Sequence, residues 1–262
     1  MIFRSSIFSL VCVSFFSSAY AALPCNGASG SYVQNSHGRD GGFVATTAYV
    51  ELTPTGKTVP YISKNAQVCD NAHVVGDVHL HGYVRVYGDA RIYGNVFSSG
   101  SPYISGNSQI YGHAWVYGNV KVKDYSKIYG NAHVSDQAKI LDHAEVYGNA
   151  LVSSSAVVSK RAQIFGKVQV SGEVQISGKA KVYGNAYVSD LAKIFDDAEI
   201  YEDAWVVGNA QIGGFSKVFG AAGIYGDAEI TGSAQVCGQA WIYGSARIDE
   251  SAGILSEGHI TN

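Results

Sequence analysis

The sequence predicts an all-β fold, a triangular β-solenoid in which 18 residues make one coil. Three observations carry that prediction. An aliphatic residue recurs at every sixth position from Ile62 to Ile260, giving 34 places filled by Ile or Val except at Leu80 and Ser98. Four residues after each comes a small residue, Ala in 22 of 33 cases and Val in six, with Ser108, Ser126, Ser216, Pro102 and Gly258 in the rest. Two residues after the aliphatic stands Gly in 21 of 33 cases, often followed by Asn or Asp, as in Tyr-Gly-Asn-Ala. A period of six fits neither a helix nor a plain strand. It fits a short strand with one inward branched side chain, followed by a corner whose small residue also points inward. Gly, Asn and Asp supply the positive φ that a sharp corner needs.

The elements follow in chain order. Residues 1–21 are expected to be a signal peptide: Arg4 is the sole charge, an apolar run covers 7–16, and Ala19-Tyr20-Ala21 is a small-residue cleavage pattern. That run is shorter than the about 20 residues a membrane span needs. The mature chain is then secreted, periplasmic or held at the cell surface. Residues 22–61 form an N-terminal segment and cap, with Val44, Ala48 and Val50 already in phase. Residues 62–262 form the solenoid, about eleven coils at the ~4.8 Å strand spacing. Three cysteines remain after cleavage, Cys25, Cys69 and Cys237. In an oxidising compartment an odd count leaves one over. A disulfide between Cys25 and Cys69 would tie the leader to the first coils, with Cys237 left free or paired between chains. The weakest coil is expected at residues 97–103, FSSGSPY, where Ser98 fills an aliphatic position and Pro102 removes a ladder donor. The last strand edge is expected to be open.

The pattern resembles the hexapeptide-repeat, left-handed parallel β-helix superfamily across 62–262. The tandem Tyr-Gly-Asn-Ala wording is closer to the long YGNA-repeat bacterial members of YdcK type than to the short, trimeric LpxA-like enzymes. The left hand is what the resemblance implies; right-handed triangular solenoids that polymerise are the structural alternative. The same resemblance implies homo-oligomers, and it raises acyltransferases and γ-type carbonic anhydrases as activities. Acyltransferases of this fold use a His near a subunit interface and a loop leaving the coil. No loop interrupts the repeat here, and His133 is the best-placed His. The anhydrases hold zinc with His pairs five residues apart, and this chain has none. His79 and His81 share one side of a strand and are a weak metal half-site. No strand of the repeat carries a Thr-x-Thr step, and a Gly-x-Ser-x-Gly nucleophile motif is missing. No catalytic residue and no cofactor are assigned.

Each coil offers three faces. The first stacks Tyr93, Tyr111, Tyr129, Tyr147, Phe165, Tyr183, Tyr201 and Phe219 beside side chains of alternating charge, and reads as structural. The second carries Phe97, Trp115, His133, Tyr187, Trp205 and Trp241 before the aliphatic position. After that position it carries Tyr117, Tyr243 and a run of serines. All three tryptophans lie in one column. An exposed aromatic stripe marks a binding surface for carbohydrate or protein, or a face buried by self-association. The third face, from Arg85 and Tyr87 through Tyr103 and Lys121, reads as solvated surface. A formal charge of −3 argues against nucleic-acid binding. The expected function is a structural or adhesive rod displaying the aromatic–serine face. An acyltransferase-like trimer and a polymer-forming envelope scaffold are the alternatives.

Overall fold

The structure, a computed structural model, describes residues 24–35, 39–51, 59–94, 102–249 and 258–261. The signal segment 1–21 and Phe97 lie outside them. The chain winds as a parallel β-solenoid of about ten turns with three sheets, as the repeat predicted. Strands are mostly two residues long, such as Lys127–Ile128, His133–Val134 and Lys139–Ile140, and successive strands go to successive sheets. Among the described residues the three sheets hold 12, 11 and 12 strands.

The core is the repeat made solid. The aliphatic positions (Ile62, Val68, Val74 and onwards) and the small ones (Ala66, Ala72, Ala90) are almost all completely buried in one continuous cluster. Where Ser replaces Ala, its hydroxyl donates back three residues: Ser126 Oγ to Lys123 O at 2.7 Å and Ser216 Oγ to Gly213 O at 2.7 Å. A buried hydroxyl is thereby satisfied. At the corners the second residue after the aliphatic position takes positive φ, Gly130 at 69° and Asp142 at 60° for example. At Gly130 an added Cβ would lie 2.9 Å from Gly148 N on the next coil, so a side chain there would require that corner to shift.

The register departs from expectation in two places. Most rungs are 18 residues apart, as in Lys127↔Glu145 and Trp205↔Gly223. Yet His79 pairs Tyr103, Arg85 pairs Gln109 and Arg91 pairs Trp115, each a step of 24. One hexad of chain between Gly94 and Pro102 therefore adds no rung. The sequence marks this stretch with Ser98 at an aliphatic position; the interior resumes at Pro102, which is buried in a small position with its carbonyl accepting from His79 N at 2.9 Å. A second 24-residue step separates Phe43 from Gln67 and Tyr49 from His73. The consequence is a correction to the faces. Above the step, Arg85 and Tyr87 belong to the first face, Arg91 and Tyr93 to the second, and His79 and His81 to the third.

The N-terminal segment folds over the first coil. Strands β1 (Gly30–Asn35) and β2 (Arg39–Ala45) form an antiparallel pair, and β2 continues the first sheet by pairing with Gln67–Val68. Asn35 finishes the neighbouring edge: its Nδ2 donates to Ile62 O at 2.8 Å, and Ile62 N donates to its Oδ1 at 3.0 Å. One buried side-chain amide thus takes the place of a ladder strand and removes an open edge. Among the described residues, no helix is long and apolar enough to cross a membrane.

Candidate functional site

The first face is a stacked ladder. It runs Tyr87, Tyr111, Tyr129, Tyr147, Phe165, Tyr183, Tyr201 and Phe219, with ring centroids 4.7–4.9 Å apart and planes parallel within 6°. It starts at Tyr87, not Tyr93, because of the 24-residue step. Lys127 Nζ meets Glu145 Oε1 at 3.0 Å, and Tyr129 OH donates to Glu145 Oε2 at 3.3 Å. Tyr183 OH donates to Glu199 Oε2 at 3.4 Å. Partial burial first, and then the Glu199 carboxylate, push the Tyr183 phenol up to about 12. This face spends its functional groups on itself.

Cys69 stands at the head of that column, joined to Cys25 by a disulfide with Cα atoms 5.4 Å apart. Cys237 stands one rung beyond Phe219, buried and free. On the third face, His81 lies between Tyr61 and Tyr103 with centroids 4.8 and 5.0 Å away. His79 Nε2 is 3.2 Å from Asp77 Oδ1. The His79 and His81 rings are parallel within 2° at 6.0 Å, so their nitrogens do not converge on one point. Burial, and then the His79 charge, lower the His81 pKa. Among the described residues no cluster of three or more His, Cys, Asp or Glu could hold a metal ion.

The second face brings the predicted residues together, with one replacement. Trp115, His133, Tyr187, Trp205 and Trp241 share one column of the sheet, and Tyr117 and Tyr243 share the column beside it. Phe97 lies outside the described residues; the place above Trp115 belongs to Arg91, whose guanidinium carbon sits 5.0 Å from the Trp115 ring. On its other side Trp115 stacks on His133 at 5.4 Å, within 3° of parallel. Trp115 is thus covered above and below, and His133 is occupied as a stacking partner. Trp205, at 50% exposure, and Trp241, at 37%, are the open ones, with Tyr117 at 41%. Gly223 lies between the two tryptophans. A Cβ there would be 2.5 Å from Tyr225 Cε2, so the missing side chain lets the Tyr225 ring lean across. Tyr225 stacks on Trp241 at 5.6 Å and on Tyr243 at 5.2 Å.

Between these aromatic ends runs a floor of small residues, Ser135, Ser153, Ser171 and Ser189, of which Ser135 and Ser189 are buried. From the Trp115 rung to the His259 rung, neither outward column of this face contains Lys, Arg, Asp or Glu. The other two faces carry Lys127, Glu145, Lys181, Lys121, Lys139 and others in the same positions. Arg91, Tyr93 and Tyr225 complete the face. Sequence reasoning missed the first two because it carried the 18-residue step through FSSGSPY. Ser98 and Pro102 were the signal that it does not.

The YdcK β-solenoid repeat family matches residues 66–82 and 144–160. No curated protein matches the chain in sequence. Among solved structures, LpxA from Acinetobacter baumannii is similar at 14% identity and TM-score 0.42, over 62% of this chain and 66% of that protein. The chain thus spans slightly less than two thirds of that relative. A UDP-N-acetylglucosamine O-acyltransferase (LpxA) from Moraxella catarrhalis gives 12% identity and TM-score 0.27, over 64% and 68%. A Bacillus cereus putative acetyltransferase gives 14% and 0.22, over 59% and 78%.

Proposed function

We propose that this hexapeptide-repeat β-helix is a non-catalytic rod whose second face binds a partner, carbohydrate or protein. The observation that supports it is the run of two outward columns, Trp115 to His259 and Tyr117 to Thr261, without one charged side chain. A solvated solenoid face gains nothing from holding every tryptophan of the chain and no Lys or Glu, whereas a binding surface does. His133, the best-placed candidate base, is engaged by Trp115, and nothing else favours an acyltransferase-like site.

The rod works outside the cytoplasm, freed of residues 1–21. The Cys25–Cys69 disulfide supports this, since such a bond persists where the surroundings oxidise. Sequencing the N-terminus of protein expressed with its leader should give Ala22 as the first residue; retention of Met1 would refute export by this route. For the face, light scattering of the mature protein with tryptophan quenching by acrylamide is decisive. A monomer with quenchable tryptophans leaves the face available to a partner. A trimer or filament that dissociates on Trp205→Arg would transfer the face to self-association and favour the scaffold reading.

A further inference from the structure

Resting on that reading, we propose that the occupant of the second face is a single extended, uncharged polysaccharide chain. It lies along the rod axis over the serine floor and against Tyr117, Trp205 and Trp241. The lack of cationic side chains carries the first step: an anionic polymer would find no counter-charge anywhere in these columns.

The shape carries the second. From Tyr117 to Val207 is five rungs, on the order of 24 Å at ~4.8 Å per rung. Over that length the floor is one residue wide, walled on one side by His133, Leu151, Gln169 and Tyr187. A second copy of the solenoid presents a face at least two outward residues wide. Laid on this one it would rest on Tyr117 and Trp205 and leave the serine floor unfilled, forfeiting contacts that a protein interface needs.

The hydrogen bonding carries the third. The floor's amides are already used: Ser135 N donates to Val152 O at 2.9 Å, Ser153 N to Val170 O at 2.9 Å and Ser189 N to Val206 O at 2.9 Å. A peptide strand therefore cannot add to the sheet here. What the floor offers is hydroxyl oxygens: Ser153 Oγ donates to Val170 O at 3.4 Å and keeps its lone pairs for a sugar hydroxyl, and the half-open Ser171 hydroxyl can pair in either sense. The half-open rings at the two ends supply apolar surface for the C–H faces of the sugars.

The test uses the intact mature protein. Because all three tryptophans lie on this face, their fluorescence reports its occupancy directly. The probes are cellohexaose, chitohexaose, laminarihexaose and maltohexaose, with a heparin hexasaccharide as the anionic control. At least one neutral probe should shift the emission and protect Trp205 and Trp241 from acrylamide. Its affinity should rise with chain length up to about five sugars, roughly one per rung. It should change less than about twofold on raising salt, since no ion pair is formed. Trp205→Ala should weaken binding by about tenfold or more, and Ser153→Lys, which puts bulk and charge on the floor, should abolish it. Tyr147→Phe on the first face should change nothing, and circular dichroism melts of each variant establish folding. Binding of none of the neutral probes, or tighter and salt-sensitive binding of heparin, overturns the proposal. If no glycan binds and the solution mass falls on Trp205→Ala, the face belongs to self-association, and the partner reading falls with the polysaccharide. If the mass is monomeric, the tryptophans are quenchable and no glycan protects them, only the polysaccharide is refuted and the face stays open to a protein partner.

Discussion

Asp142 shows how a corner is held by one side chain. Its φ of 60° is the left-handed conformation that costs most residues about 1 kcal/mol. Its carboxylate offsets that cost by accepting from Lys160 N at 2.8 Å, one coil on. Asp70, Asp136, Asp190 and Glu202 do the same for Gly88, Ser154, Gly208 and Gly220. Asp142→Ala should therefore lower the unfolding free energy by about 1–2 kcal/mol, with Asp142→Gly milder because glycine relieves the backbone; urea titration reads both. The ladder phenols give a pH prediction. Tyr183 is raised from 10.0 to about 12, and Tyr129 is raised too, in each case by burial first and then by the neighbouring glutamate. Folding favours the neutral phenol, so this contribution is complete below pH 10 and is lost as pH climbs from 10 towards 12. A spectrophotometric titration should show ladder tyrosines ionising above free tyrosine, with the melting temperature falling over the same interval. Early ionisation of every tyrosine would contradict the stack.

At the scale of the strand and its corner, six residues are interchangeable for the interior but not for the surface. Any hexad with Ile or Val first and Ala fifth fills the core, whereas which face it lands on depends on the count of hexads before it. The step between Gly94 and Pro102 makes this testable. Deleting residues 95–100 should restore an 18-residue step and leave every column in place, with stability within about 1 kcal/mol of the parent. Deleting the regular hexad 139–144 keeps the core sequence pattern but turns all later strands by one face. It breaks the Tyr129–Tyr147 stack and the Lys127–Glu145 pair and should cost about 1–3 kcal/mol. Thermal melts of the two deletions separate these outcomes; equal losses would mean that the first hexad does belong to a rung.

Over the whole molecule, a solenoid is stabilised by contacts between neighbouring coils, so its first coil has a neighbour on one side only. Here the β1–β2 pair, Asn35 on Ile62 and the Cys25–Cys69 bond supply the missing side. The bond joins residues 44 apart, and its removal is expected to cost about 2–4 kcal/mol. Reduction, or Cys25→Ser, should lower the first unfolding transition and expose the β2 edge, seen as faster amide exchange in Gly41–Val44 than in the central coils. Cys237, buried at the far end of the ladder, should react with alkylating reagents only after unfolding. Rapid labelling of the native protein would place it on the surface.

The sequence by itself determined the interior: the six-residue period, the identity of the inward side chains and the glycine corners follow from local sterics and burial, which each hexad satisfies on its own. It also determined that Trp115, Trp205 and Trp241 share a column, because the count between them is a whole number of coils. Only the tertiary structure decided where a hexad adds no rung, since the six-residue phase runs on unbroken while the ladder pairs His79 with Tyr103 and Arg91 with Trp115. The same step decided that Arg91 covers Trp115, that the stacked ladder begins at Tyr87, and that His79 and His81 stand beside Tyr103. Side-chain cover across rungs is a matter of register, and one six-residue surplus rewrites it for every residue that comes before.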